Sequence, residues 1–176
     1  MQRRTLLRLG VATGTLLAIA GAGVALWRPG WRAGQLTTEG RDLFNAISRA
    51  VLDGLLPVEG PAREVALTAQ LRRLEDTVNG FPRTVQDELS QLLALLCTAP
   101  GRIGLAGVNH SWTHASTAEV QQALQALRVS SINTRQQVYL ALRDLSYGAF
   151  FADPGSWKTT GYPGPLAISA ISGTSP

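Results

Sequence analysis

The longest uninterrupted apolar stretch of the chain's body is Leu92-Leu93-Ala94-Leu95-Leu96-Cys97. It closes a segment that opens at Phe81-Pro82 and ends before Pro100-Gly101. Apolar residues recur through this segment at helical spacing, at Val85, Leu89, Leu92 and Leu96. The pattern predicts an amphipathic helix, and the helix predicts that the only cysteine, Cys97, is a small buried hydrophobe.

The preceding 45 residues carry two further helical patterns. Thr37-Thr38-Glu39 predicts a capped helix start, and the first helix is expected to end at Leu56-Pro57. Pro61 suits the first turn of a second helix, and Gly80 suits its C-terminal stop. The predicted inner faces of these two helices are Phe44, Ile47, Val51 and Leu55, and then Leu67, Leu71, Leu74 and Val78.

The later part of the chain predicts two more helices. Ser116-Thr117-Ala118-Glu119 is a capping box that opens a helix with Val120, Ala123, Leu124 and Leu127 on its inner face. Thr134-Arg135-Gln136-Gln137 is a second candidate box, followed by inward-facing Val138, Leu142 and Leu145. The irregular, glycine-rich residues 102–115 predict an exposed or partly docked connector. No segment shows strand alternation, so we expect an all-α body of about five helices.

Aromatic residues are concentrated near the C-terminus. Six of the chain's 11 aromatics lie between Tyr139 and Tyr162. The segment from Tyr147 to Pro165 is rich in Gly and Pro, which argues against a helix, yet its large apolar side chains need cover. We expect this aromatic C-terminal wrap either to cover its own bundle or to present part of itself to a partner. The predicted partner-facing residues are Phe150, Phe151, Trp157, Tyr162, Pro163 and Pro165.

The overall positive charge does not indicate a nucleic-acid partner. The chain has a net charge of +4 and a pI near 10.0, but five of its 16 basic residues lie in positions 1–32. From residue 33 onward, 11 basic residues face 12 acidic ones, for a net charge of −1. Nucleic-acid binding needs basic residues gathered on the folded body, so this class is set aside.

The first 32 residues have the organisation of an export leader. Basic residues at Arg3, Arg4 and Arg8 precede 19 uncharged residues, 9–27, and Trp27-Arg28-Pro29-Gly30-Trp31-Arg32 follows. As a helix, the run would be about 28 Å long, close to the ~30 Å hydrocarbon core of a bilayer. We therefore predict two regions. Residues 1–32 are a signal or retained membrane anchor whose Trp and Arg residues form an interfacial belt, and residues 33–176 are the helical domain.

Residues with catalytic or metal-binding potential are few. His110 and His114, the only histidines, have i,i+4 spacing that could bind a metal, but no Cys, Asp or Glu lies between residues 89 and 118 apart from Cys97. A surface or partner-facing loop is the favoured interpretation. The chain has no Gly-x-Ser-x-Gly elbow, no dinucleotide loop after a strand and no Cys-x-x-Cys-His haem motif. We expect no catalytic, cofactor or metal site in this chain.

Several of these features together resemble a known family. The leader, with Arg3, Arg4, Leu6 and Leu7, resembles a bacterial twin-arginine signal, although Gln2 stands where Ser or Thr is usual. A helix from Leu36-Thr37-Thr38-Glu39 to Leu55-Leu56-Pro57 follows, and the chain closes with Trp157 and Gly161-Tyr162-Pro163-Gly164-Pro165. In these features the chain resembles the gluconate 2-dehydrogenase subunit 3 family, the small subunits of bacterial flavin-dependent sugar and alcohol dehydrogenases.

This resemblance implies an accessory function. In that family a large glucose–methanol–choline-type subunit holds FAD and performs catalysis, and a multihaem cytochrome c subunit often receives the electrons. The small subunit carries the large one through the twin-arginine translocase and supports its maturation at the periplasmic side of the cytoplasmic membrane, here with residues 9–27 in contact with the membrane. Two alternatives stay open. The chain could be an independent exported metal-binding protein or enzyme that uses the His110/His114 loop, or a membrane-tethered scaffold for a non-flavin partner.

Overall fold

The computed structural model describes residues 29–164, and this part of the chain is mostly helical, so the predicted all-α class is confirmed. The predicted leader helix, with Arg3, Arg4, Leu6 and Leu7, lies outside the described residues, as does Pro165. The helices are α1 Thr38–Val51, α2 Pro61–Asn79, α3 Arg83–Leu96, α4 Thr117–Arg128, α5 Asn133–Phe151 and the short α6 Pro154–Trp157. A π-helical turn, Gly101–Ala106, follows α3, and a 3₁₀ turn, Lys158–Thr160, follows α6.

The described chain begins with a small hairpin that the sequence did not predict. β1 Trp31–Arg32 pairs antiparallel with β2 Gln35–Leu36, in a register that sets Trp31 opposite Leu36. Ala33 and Gly34 connect the strands with φ values of 52° and 81°, as a tight hairpin turn requires. The boundary predicted at residue 32 therefore lies within the hairpin, between β1 and β2.

The hairpin packs against the three helices that follow it in the chain, α1, α2 and α3. Its Trp31 side chain is 6% exposed and belongs to the core, rather than lying at the surface as a membrane-interface residue would. The Asn79 amide of α2 donates to the Gly34 carbonyl at 2.9 Å, and Ser90 Oγ of α3 donates to the Trp31 carbonyl at 3.3 Å. Leu36 N donates to Glu75 Oε1 at 3.0 Å.

The start of α1 fits closely against the residues before the hairpin. Thr37 caps the helix by accepting from Gly40 N at 3.2 Å, as predicted, and its hydroxyl also donates to the Pro29 carbonyl at 2.7 Å. A Cβ placed on Gly40 would lie 1.9 Å from the carbonyl oxygen of Gly30. Only glycine permits this contact, because real Cβ atoms cannot approach a backbone oxygen so closely.

The core lies between α1, α2, α4 and α5, with α3 packed on the hairpin side. Most residues of the predicted helical stripes are buried in one cluster, whereas Val51 and Leu92 are partly buried at its edge. Helices α2 and α5 run parallel, since Gln70 Nε2 donates to the Ser146 carbonyl at 2.8 Å and Arg73 Nε donates to the Ala149 carbonyl at 3.0 Å. Gln70 is 0% exposed, so its hydrogen bond compensates for burying the amide.

Two predicted helix ends were wrong. Helix α1 ends at Val51, not at Leu56-Pro57, because the turn that follows places Gly54 at a φ of 79°, which is incompatible with a continuing helix. Helix α5 begins at Asn133 after Ile132, with no side-chain cap. Thr134 therefore lies inside the helix, and the second capping box does not form.

The C-terminal end of α5 also differs from the prediction. The helix continues through Tyr147 and Gly148 to Phe151, a segment that we expected to be non-helical because of its Gly and Pro content. Gly148 lowers helix stability by about 0.5–1 kcal/mol, which the helix tolerates, and Pro154 stands at the start of α6, where its missing N–H is harmless. No helix within residues 29–164 is long and apolar enough to cross a membrane.

Two glycine substitutions test this packing. Gly40→Ala should destabilise the protein by about 1–3 kcal/mol, because the added methyl group meets the Gly30 carbonyl. Gly148→Ala is the matched control. Its Cβ would meet nothing within 4 Å, and alanine favours the helix, so it should stabilise the protein by about 0.5–1 kcal/mol. Denaturant unfolding measures both changes, and a neutral Gly40→Ala would contradict the close approach.

Candidate functional site

The predicted partner-facing aromatics gather around the end of α5 but differ in exposure. Phe150 is 6% exposed, so it has little surface left for a partner, whereas Phe151 and Trp157 are partly buried. Tyr162 is 51% exposed, and Pro163 is also exposed. The residues available at the surface are thus chiefly those of the last turn, Trp157 to Gly164, which we call the aromatic turn.

The aromatic turn has a defined geometry. The rings of Trp157 and Tyr162 meet edge to face, with centroids 5.5 Å apart, and Trp157 Nε1 donates to the Phe151 carbonyl at 2.8 Å. Gly161 has a φ of 73°, which reverses the chain so that Tyr162 N can donate to the Trp157 carbonyl at 3.1 Å. A Cβ on Gly164 would lie 3.3 Å from the Trp157 ring, so the chain folds back over the indole.

The Arg73 side chain of α2 stabilises the junction between α5 and α6, which precedes the aromatic turn. Arg73 donates to the Ala149 carbonyl and lies 3.3 Å from the Asp153 carboxylate. Asp153 also caps α6 by accepting from Gly155 N at 2.9 Å. Because these side chains are 25% and 43% exposed, the ion pair alone contributes little, and the carbonyl contact adds to the bracing. Sequence reasoning did not find Arg73, since its partner lies 80 residues away.

The two histidines occupy the loop between the π-helical turn and α4, and they do not share a helix face. His110 Nδ1 lies 2.8 Å from Glu119 Oε2, and Glu119 Oε1 accepts from the backbone N–H of Asn109 at 2.8 Å and of His110 at 3.2 Å. His114 Nδ1 instead lies 2.8 Å from Ser111 Oγ. Within residues 29–164, no group of three or more His, Cys, Asp or Glu residues is arranged to hold a metal ion.

The sequence predicted the position of Glu119 in the capping box correctly, but it predicted the wrong partner for the Glu119 carboxylate. Ser116 Oγ accepts from Glu119 N at 3.1 Å, which confirms the cap. The carboxylate turns to the histidine loop instead of returning to the backbone of Ser116. The hydrogen bonds with the side chain and backbone of His110, together with the backbone of Asn109, lower the pKa of Glu119 below its ordinary value of 4.5.

Arg102 holds the same loop from the other side. Its guanidinium donates to three successive backbone carbonyls, those of Val108, Asn109 and His110. Trp112, two residues further on, is 5% exposed and donates from Nε1 to the Leu96 carbonyl at 2.9 Å. The predicted connector over residues 102–115 is therefore docked at both ends, with its tryptophan in the core.

An open cavity of about 410 Å³ lies between the start of α1, the end of α3 and this loop. Its lining includes Glu39, Asp42, Cys97, Arg102, Ser111 and Trp112. Burial raises the pKa of the Cys97 thiol to about 12, and the charges of Glu39 and Asp42 add to the effect. Burial, followed by the charge of Glu39, also raises the pKa of Asp42. Cys97 is partly buried at the edge of the core rather than fully buried as predicted, and its raised pKa favours the protonated thiol at neutral pH.

Comparison of the chain with known protein families, with curated proteins and with solved structures gives no significant match.

The hydrogen bonds of the Glu119 carboxylate with Asn109 and His110, which we call the Glu119 clasp, predict a pH-dependent contribution to stability. Because the folded-state pKa of Glu119 lies below its ordinary value, the stabilisation is present above pH 4.5 and is lost as the pH falls through the folded-state pKa. Glu119→Gln should therefore be less stable than the wild type at pH 7, and the difference should shrink towards pH 3. Glu64→Gln, in the first turn of α2, is the control for losing one carboxylate at a helix start. A Glu119→Gln difference that is constant from pH 7 to pH 3 would refute the clasp.

Proposed function

We propose that this chain is the non-catalytic small subunit of a periplasmic FAD-dependent dehydrogenase of the glucose–methanol–choline type. In this proposal it carries the twin-arginine signal for co-export of the catalytic subunit, and supports that subunit's folding and attachment to the cytoplasmic membrane. The observation that carries the proposal is the presence, in one chain, of a twin-arginine motif before an apolar run and an exposed aromatic turn at the far end of a helical body.

The way the leader joins the body supports export in the folded state. Gly30 is already packed against α1 and α3, three residues after the uncharged run ends at Trp27. The twin-arginine route moves folded proteins and complexes, so a leader joined directly to a docked hairpin suits that route. A body that had to be threaded unfolded would need to break the contacts of Trp31, Gly34 and Leu36 first.

The aromatic turn supports a protein partner. Tyr162 presents half of its side chain, and Pro163 adds a rigid neighbour without a backbone donor. Tyrosine and tryptophan are enriched among the residues that dominate binding energy at protein interfaces. In the family that the chain resembles, the partner would be the large FAD-containing subunit, and a multihaem cytochrome c subunit would complete the electron path.

Truncation of the exposed ring tests the interface. Tyr162→Ala should lower the yield of the large subunit that copurifies with this chain, because a central aromatic anchor commonly costs about 2 kcal/mol or more when it is removed. Trp157→Ala should also lower this yield, but it will loosen the aromatic turn as well, since the indole N–H donates to the Phe151 carbonyl. Ile132→Ala, which truncates an exposed apolar residue before α5, is the control. Equal yields for Tyr162→Ala and Ile132→Ala would contradict this assignment.

Substitution of the arginine pair tests the carrier role. Arg3→Lys combined with Arg4→Lys should strand both this chain and the catalytic subunit in the cytoplasm, because the leader is proposed to serve both. Arg8→Lys keeps the pair intact and is the control. Cell fractionation followed by a flavin-dehydrogenase assay of the periplasmic face measures the outcome. Normal export of the catalytic subunit in the double variant would refute carriage by this chain.

A further inference from the structure

The connection between α4 and α5, residues 128–135, combines exposed aliphatic side chains with basic ones, and we call it the basic turn. Val129 is 65% exposed and Ile132 is 57% exposed, so two branched apolar side chains lie in solvent within four residues. Arg128 precedes this apolar pair at the end of α4, and Arg135 follows it in the first turn of α5. Because the pair is exposed, packing of the core does not account for it.

The charge of the basic turn is not balanced by nearby residues of the sequence. Residues 120–143 contain three arginines and no Asp or Glu, although residues 33–176 together have a net charge of −1. Among the described residues 29–164, neither Arg128 nor Arg135 is in an ion pair, and Arg135 Nε is buried without a hydrogen-bond partner. Within that part of the chain, two cations without a carboxylate partner therefore accompany the exposed apolar pair.

Hydrogen bonds fix the shape of the basic turn. Ile132 N donates to Ser130 Oγ at 3.2 Å, and Gln136 Nε2 donates to the Ser130 carbonyl at 2.7 Å. Arg128 Nε donates to Gln125 Oε1 at 3.0 Å, which holds the Arg128 side chain along α4. The apolar pair and the flanking arginine are thus presented together, and little conformational entropy is lost when they bind to another surface.

We propose that the basic turn is a contact site for an anionic lipid bilayer, with Val129 and Ile132 entering the headgroup region and the two arginines facing lipid phosphates. Aliphatic side chains leave water when they enter this region, and arginine stems cover apolar surface while their guanidinium groups reach the headgroups. Basic residues near an anionic bilayer are attracted to it, so charge complementarity identifies the occupant. A second copy of the chain paired through the same turn would bring arginines against arginines.

The basic turn and the aromatic turn lie at opposite ends of α5. This helix, Asn133–Phe151, has 19 residues and is therefore about 28 Å long. Contact of the basic turn with a bilayer leaves the aromatic turn free to bind a protein. The inference goes beyond the proposed function, because it concerns the lipid surface and does not rest on which protein binds the aromatic turn.

An environment-sensitive fluorophore tests the site in the full-length chain. In a Cys97→Ala background, Val129→Cys is labelled with nitrobenzoxadiazole, and the chain is reconstituted into phosphatidylcholine vesicles with or without phosphatidylglycerol. The emission should shift to the blue and rise several-fold only in the vesicles that contain phosphatidylglycerol, because their surface attracts the arginines. Thr160→Cys, labelled on the exposed surface of the aromatic turn, is the matched control and should give the same emission in both.

Substitution of the two cations separates recognition of charge from simple proximity to the bilayer. Arg128→Gln combined with Arg135→Gln should abolish the phosphatidylglycerol-dependent shift at position 129. High salt should have the same effect on the unsubstituted turn, because it screens exposed charges. Arg72→Gln combined with Arg83→Gln, which removes two exposed arginines from α2 and α3, is the control for lost charge and should retain the shift.

Three outcomes would overturn the proposal. The first is an emission at position 129 that is the same in both kinds of vesicle. The second is a phosphatidylglycerol-dependent shift that persists in high salt or in the Arg128→Gln and Arg135→Gln variant. The third is a shift in pure phosphatidylcholine vesicles that grows with the protein-to-lipid ratio, which would assign the turn to a second copy. These measurements do not involve the dehydrogenase, so their failure is distinguishable from failure of the proposed function.

Discussion

The contact between the Gly30 carbonyl and the Cα of Gly40 is the constraint on which the arrangement of the N-terminal region depends. It brings Gly30 against the first turn of α1, with no space for a side chain between them. Because of this contact, Thr37 can cap α1 and hold Pro29 at once, Trp31 can enter the core, and the hairpin can reach α2 and α3. Residues 29 and 30 are thereby held against α1, and no flexible linker separates them from the hairpin and the helix.

The geometry of the C-terminal region depends on the pairing of α2 with α5. The buried amide of Gln70 and the guanidinium of Arg73 both bond to the backbone of α5, one turn apart, and so fix the register of the two helices. Arg73 then reaches Asp153, which caps α6 and positions the aromatic turn. The exposed Tyr162 is therefore presented by a braced structure, not by a loose tail. A rigid anchor costs less entropy to bind than a flexible one.

The sequence could predict the helices because their apolar stripes are regular. Leu74, Leu89 and Leu142 lie in the core as their spacing requires. It could not predict the helix ends that tertiary structure decides. The left-handed Gly54 ends α1 early, and Ile132 stands at the cap of α5 because Thr134 lies two residues after the cap position. The hairpin was missed because a two-residue strand is too short for an alternating pattern, so Trp31 was assigned to the membrane interface on account of its arginine neighbours.

The candidate sites could not be predicted for the same reason, since tertiary structure decides which residues they bring together. His110 was considered with His114 because the two are four residues apart, but the loop turns their side chains to different partners. The partner of His110 is Glu119, which lies just after the stretch without acidic residues, 89–118. The cavity joins residues separated by more than 70 positions, from Glu39 to Trp112, and no local pattern could have assembled it. The sequence predicted that the aromatic side chains of the C-terminal segment need cover from the bundle or from a partner, and the two cases differ along the segment, since Phe150 is buried in the bundle and Tyr162 is 51% exposed.

The most direct test of the central claim is to purify this chain, tagged after Pro176, from native membranes and to record the visible spectrum of the complex. The account predicts a flavin spectrum that copurifies with a larger second subunit, since this chain is proposed to bind no flavin itself. The intact mass of the small chain in the same sample reports whether residues 1–28 are retained. A colourless preparation in which the full-length chain is recovered with a partner that holds no flavin would contradict the dehydrogenase assignment and favour a scaffold for another protein.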